Sequence, residues 1–170
     1  MYRVIENRYN IPEELLFCIG KRENNEKRNF LFISKLLGKH LSVNPDVVKS
    51  TGFLLSSLKY RFNNTSYISC IKGIGKPSFE EYALDKDILV IGFCETATAL
   101  GMSVAASIYG SSYITTTRET IQNIKQLLRF EEPHSHASTH CMYSDFIDLN
   151  KFKEIILVDD EITTGISLLN

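Results

Sequence analysis

Apolar residues along the chain fall into short, dense runs separated by polar turns. Residues 30–34 (FLFIS), 88–93 (ILVIGF) and 155–160 (IILVDD) are rich in Ile, Leu, Val and Phe. Each is too short for a helix of average length and reads as a strand, the last two apolar on both faces. Asn44-Pro45-Asp46 forms a turn and cap that leads into a helix over residues 47–61, and residues 95–108 carry the small and apolar spacing of a well-packed helix. Residues 113–117 are β-branched and predict another strand, residues 119–130 a helix, and a last helix starts at Ile166. Residues 21–28, 63–66 and 72–78 are polar and breaker-rich, and read as loops. Strands alternating with helices predict an α/β fold in one domain over residues 1–170: a parallel twisted sheet, right-handed crossovers, helices on both faces. In such sheets ligands bind beyond the carboxyl ends of the strands.

Composition narrows the class. At 170 residues, 44% apolar and 23% charged, the chain has material for one sizeable core, which excludes disordered, collagen-like and disulfide-scaffold proteins. The longest apolar stretch is about five residues, against the ~20 of a membrane-spanning helix. Charge is uneven: residues 1–76 hold 13 Lys and Arg against 6 Asp and Glu, and residues 77–170 hold 6 against 14. A basic half raises nucleic acid as a partner, yet the cations are scattered singly or in pairs, without a basic run or an aromatic RNA-binding signature. Cys18, Cys70, Cys94 and Cys141 form no CxxC pair and MYRVIENRYN has no apolar leader, so a reducing cytoplasm is expected.

The chemistry concentrates in IILVDDEITTG, residues 155–165. Backbone N–H groups at a helix start attract an anion, threonine hydroxyls add donors, and glycine lets the backbone approach a phosphate closely. Two adjacent carboxylates repel that anion and must face hydroxyl donors or a cation. A sugar phosphate meets both demands, its phosphate on Thr163, Thr164 and Gly165, its vicinal hydroxyls or a Mg²⁺ ion on Asp159 and Asp160. A second strand-to-helix turn of small and hydroxyl residues, Cys94-Glu95-Thr96-Ala97-Thr98, follows ILVIGF. Three of the four histidines, His134, His136 and His140, fall within seven residues, a spacing open to a transition metal; solvated loop residues are the plainer reading.

Residues 155–167 resemble the signature of type I phosphoribosyltransferases: apolar residues, two acidic ones, a Thr-Thr-Gly turn. The resemblance implies binding of 5-phosphoribosyl-1-pyrophosphate (PRPP) by Asp159, Asp160, Glu161, Ile162, Thr163, Thr164, Gly165 and Ser167, and Mg²⁺ on Asp159 and Asp160, partly through PRPP. It implies pyrophosphate binding by Gly92, Glu95, Thr96, Ala97 and Thr98, with Glu95 also placed to contact the metal. Between these loops the family carries a mobile loop, which makes Arg118 the candidate for stabilising the leaving group. With GFCETATALG and EEPHSHASTH, residues 30–42 resemble the subgroup encoded in bacterial tellurium-resistance and stress gene clusters, where Lys35, Lys39, His40, His134, His136 and His140 become acceptor or loop contacts. The implied reaction is displacement of pyrophosphate by a nitrogenous base, in a protein expected to be a homo-oligomer at full length. Only five residues follow Gly165, so the sequence is expected to be the front part of a longer chain. Two alternatives share the motif: a module that senses PRPP without turnover, and a receiver domain, whose first strand also ends in paired acids. A nucleic-acid binder using the basic half is a third.

Overall fold

The computed structural model describes residues 6–7, 11–21, 30–131, 139–162 and 165. A four-residue helix, α1 (Glu13–Leu16), runs into strand β1 (Phe17–Lys21), which pairs antiparallel with β2 (Phe30–Ser34) from Phe17↔Ser34 to Lys21↔Phe30. Phe32 makes edge contacts with Phe17 and Phe30, at ring centroid separations of 5.4 and 5.6 Å. The Lys35 amide donates to the Leu16 carbonyl at 2.9 Å and its amine to the Glu14 carbonyl at 2.7 Å, which ties α1 to the end of β2.

Helix α2 (Pro45–Tyr60) starts where the sequence predicts, because Asn44 accepts the Asp46 N–H at 2.9 Å and Pro45 occupies the first turn. It ends at Arg61, which takes a left-handed conformation with φ of 61°. Helix α3 (Thr65–Ile71) begins inside a stretch expected to be loop; only Asn63 and Asn64 precede it, Asn63 accepting the Thr65 N–H at 3.1 Å. Tyr67 and Ile71 of α3 pack on Phe53 and Phe79 and form a core cluster with Ile11 and Leu54.

After the short strand β3 (Tyr82–Ala83) comes β4 (Ile88–Gly92), all five residues buried, then α4 (Ala97–Ala106), β5 (Ile108–Tyr109) and β6 (Ser112–Thr115). The chain continues through β7 (Gln126–Glu131), β8 (Thr139–Tyr143), a 3₁₀ turn at Leu149–Lys151 and β9 (Glu154–Val158). The main sheet has the order β6-β4-β9, all parallel, with Gly92 opposite Thr115 on one side and Val158 on the other. Ile88 and Val90 face Leu100 and Val104 of α4, and Leu89, Ile91 and Phe93 face Met142, Leu128 and Phe130. Helix α4 in turn packs beneath α2, where Gly52 lies so close that a Cβ would stand 2.8 Å from the Ser103 carbonyl carbon.

Two expectations are corrected. Residues 119–130 do not form a helix: after a turn in which Asn123 takes φ of 63°, β7 pairs antiparallel with β8. The spacing of Ile121, Ile124, Leu127 and Leu128 imitates a helical stripe, yet Ile121 and Ile124 are exposed, whereas Leu128 and Phe130 cover the sheet. Consequently helices cover one face only among the described residues, and the β7–β8 hairpin covers the other. No helix among them is long and apolar enough to cross a membrane.

Candidate functional site at the carboxyl ends of the parallel strands

The three parallel strands end side by side, so the turns after β4, β6 and β9 gather at one edge. Phe93 donates its N–H to the Val158 carbonyl at 2.9 Å and Thr116 donates to the Gly92 carbonyl at 3.0 Å, which extends the sheet into those turns. Gly92 is required by crowding: a Cβ there would meet the Tyr113 hydroxyl at 2.7 Å and the Ala97 carbonyl at 3.1 Å. Gly101 of α4 sits against it, a Cβ there standing 2.8 Å from the Gly92 Cα, so the helix start is drawn onto the strand end.

Within the β4–α4 turn the candidate residues divide. Ala97 is buried and its N–H reaches the Phe93 carbonyl at 3.1 Å; the Thr98 N–H reaches the Glu95 carbonyl at 3.4 Å. The Thr98 hydroxyl lies 3.2 Å from that of Thr115, and its carbonyl accepts the Tyr113 hydroxyl at 2.7 Å. Thr98 is therefore a pin between α4 and β6 in this arrangement. The Cys94–Glu95 peptide is cis, and the amides of Glu95 and Thr96 have no acceptor among the described residues. Those two N–H groups, at the start of a ten-residue helix, are what the turn offers an anion.

At the end of β9, Asp159 accepts the Asp160 N–H at 2.8 Å, where the chain bends. The Lys39 ammonium lies 2.6 Å from the Asp160 carboxylate, a pair 33% and 16% exposed that joins positions far apart in sequence. A cleft of about 210 Å³ separates Phe17, Phe32 and Ser34 of the β1–β2 hairpin from Lys39, Asp160 and Glu161. Ile162 is 60% exposed beyond it, and Gly165 takes φ of 74°, a conformation open to glycine and strained for other residues. Thr163, Thr164 and Ser167 lie outside the described residues, as do His134 and His136.

The remaining candidates are scattered. Arg118 is half-buried two residues beyond Thr116, after Thr117 exchanges backbone bonds of 2.8 Å with Cys141, and so stands at the same end of the sheet. Lys35 is engaged with the Glu14 carbonyl rather than with the acidic turn, and His40 is exposed. His140 is no loop residue: it lies in β8, 3% exposed and stacked on Phe130 at 4.9 Å. Its Nδ1 is 3.1 Å from the Thr116 hydroxyl and 3.5 Å from the Cys94 sulfur. Among the described residues no group of three or more His, Cys, Asp or Glu is placed to hold a metal. Sequence reasoning missed the hairpin wall of Phe17 and Phe32, and the Thr116 contact with Cys94 and His140. The TTT run was the available signal for the latter.

Charge at the opposite end of β9 is structural. Glu154 takes the Lys59 amine at 2.7 Å, the Lys86 amine and the Tyr60 hydroxyl at 3.1 Å. The bonds from Lys59 and Lys86 hold its carboxyl down at about 2, and burial beside that carboxylate pushes the Tyr60 hydroxyl up.

An α/β domain with two turns converging at the carboxyl edge of a parallel sheet belongs to the class that places ligands in that crevice. The family model described as phosphoribosyl transferase matches residues 16–170, and the chain belongs to that family. Membership implies a phosphoribosyl donor and an acceptor as substrates. Comparison with curated proteins and with solved structures finds no significant match.

Proposed function

We propose that the chain binds PRPP across the ends of β4 and β9 and transfers its phosphoribosyl group to a nitrogenous base, releasing pyrophosphate. The supporting observation is the register that sets Gly92 opposite Val158, so that the anion-seeking turn and the two carboxylates open side by side. Asp159 and Asp160 accept the ribose hydroxyls, and the Glu95 and Thr96 amides take the diphosphate. Thr163, Thr164 and Gly165 are assigned the 5-phosphate on the motif alone. The protein's part is orientation and stabilisation of separated charge, since the nucleophile comes from the acceptor and the leaving group from the donor.

The residues fit Mg²⁺ in the manner usual for that ion, one or two carboxylates completed by substrate phosphates and water, and not as an all-protein cage. Asp159 and Asp160 would hold it, Asp160 sharing its charge with Lys39. When bound, the ion neutralises charge on the departing diphosphate. Arg118 is assigned the same task from the β6 side.

Calorimetry with PRPP and Mg²⁺ tests the site. Replacing Asp159 and Asp160 by Asn is expected to weaken PRPP binding by about tenfold or more, the loss of two charge-assisted hydrogen bonds. Unchanged affinity rejects the assignment. A pyrophosphate-release assay against a panel of bases then separates turnover from sensing.

A further inference from the structure

We infer that Cys94 is a covalent modification site, a nucleophilic thiol with His140 as its proton acceptor. It is suited to a small electrophile of the peroxide class, and its modification obstructs the β4–α4 turn. The Cys94 sulfur stands 3.5 Å from His140 Nδ1, and the stack on Phe130, with planes 5° apart, fixes the plane of the imidazole. Thr116 locks the pair from a second direction. Its hydroxyl accepts the Cys94 N–H at 2.9 Å and lies 3.1 Å from the same Nδ1. Sulfur and base are thus held together by backbone and side chain at once.

Access differs across the pair in the way a reactive thiol requires. His140 and Thr116 are 3% and 1% exposed, while Cys94 is half-buried and the adjoining Glu95 is exposed. Cys70 and Cys141 are buried. A thiolate is the nucleophilic form of cysteine, and an imidazole nitrogen within reach of the sulfur can take the thiol proton as the sulfur attacks.

With a peroxide, the sulfur attacks one oxygen as its proton passes to Nδ1, a sulfur–oxygen bond forms, and the oxygen–oxygen bond breaks. The departing alkoxide or hydroxide takes the proton from the imidazolium. Sulfur loses two electrons to give a sulfenic acid, and the peroxide gains them to give an alcohol or water. Cys94 directly precedes Glu95, whose amide is assigned to the diphosphate. The obstruction therefore rests on the diphosphate reading of this turn, whereas the reactivity stands apart from it.

Iodoacetamide labelling at pH 7, followed cysteine by cysteine by mass spectrometry, tests the reactivity. Half-burial alone slows a thiol relative to the unfolded chain, and activation reverses the order. Cys94 is expected to label about tenfold faster in the folded chain than in urea. An equal or slower folded rate overturns the proposal. His140→Gln is expected to bring the folded rate to the unfolded one or below, and a folded variant that keeps the fast rate overturns the role of His140. The comparison of folded with urea-unfolded chain needs no substitution, so it decides the case even where that variant fails to fold. Hydrogen peroxide followed by a sulfenic-acid trap is expected to mark Cys94 before Cys18. Inorganic pyrophosphate is expected to protect Cys94; fast labelling without protection rejects the obstruction and the diphosphate reading while the nucleophile stands.

Discussion

Gly52 shows how little room the helical layer leaves at a single position. A Cβ there would lie 2.8 Å from both the Ser103 carbonyl carbon and the Val104 nitrogen, which are backbone atoms and cannot turn aside as a side chain would. Ala is the better helix former by about 1 kcal/mol, yet overpacking a tight contact costs about 1–3 kcal/mol and here meets rigid partners. Gly52→Ala is expected to destabilise the fold, read as a lower urea midpoint at unchanged slope. Because backbone atoms contribute to the clash, adding Ser103→Gly is expected to leave most of the loss in place. At the candidate site the balance is different. Lys39 and Asp160 make a partly exposed pair, worth at most about 1 kcal/mol, so the ammonium can yield the carboxylate to a sugar hydroxyl or a cation at little cost.

At the scale of elements, sequence and structure agree where local chemistry is decisive. The Asn44 cap and Pro45 start α2, and the double-sided apolar run at β4 is buried on both faces, as its composition requires. The places of the two turns at the sheet edge were legible for the same reason, since each directly follows an apolar parallel strand. The β7–β8 hairpin was not, because what decides it is remote: Leu89, Ile91 and Phe93 need a cover, and Leu128, Phe130 and Met142 supply it. Local spacing held no information about that partner. Lys39 meeting Asp160, and His140 meeting Cys94, were hidden likewise, each pair being joined only by the assembled sheet. Asn123 offers a test whose sign separates the two readings. In a helix Asn→Ala stabilises, whereas at φ of 63° alanine keeps the Cβ that is crowded in a left-handed residue and loses the local hydrogen bonding by which asparagine tolerates it, a cost of up to about 1 kcal/mol. Asn123→Ala is expected to lower stability in urea unfolding, and Asn123→Gly to leave it nearly unchanged.

For the whole molecule, the two ends of the parallel sheet differ in how their polar groups are satisfied. The carboxyl edge carries the exchangeable Lys39–Asp160 pair and two amides without an acceptor among the described residues, and the amino edge carries a closed polar group. Glu154, at the first residue of β9, joins Lys59 of α2, Lys86 of the turn before β4 and the Tyr60 hydroxyl, so one carboxylate ties the helical layer to two strands. Those hydrogen bonds, from Lys59 first and Lys86 second, lower its titration from the ordinary 4.5 to about 2. Between these values the unfolded chain binds a proton that the folded chain does not, so stability rises with pH across that window. The contribution is complete above about pH 4.5 and is lost as the pH falls toward 2. Glu154→Gln removes the titration. Its stability is expected to be lower than that of the parent at pH 6, and the gap to narrow from pH 4.5 downward until the two nearly coincide at pH 2. Between those limits the parent's stability should fall more steeply by up to about one proton's worth of slope. Urea unfolding of both proteins at half-unit pH steps measures this, and a gap that stays constant down to pH 2 rejects Glu154 as the brace. Lysine substitutions cannot replace the test, since Lys59 and Lys86 each leave the other in place on the carboxylate and shift the titration only in part.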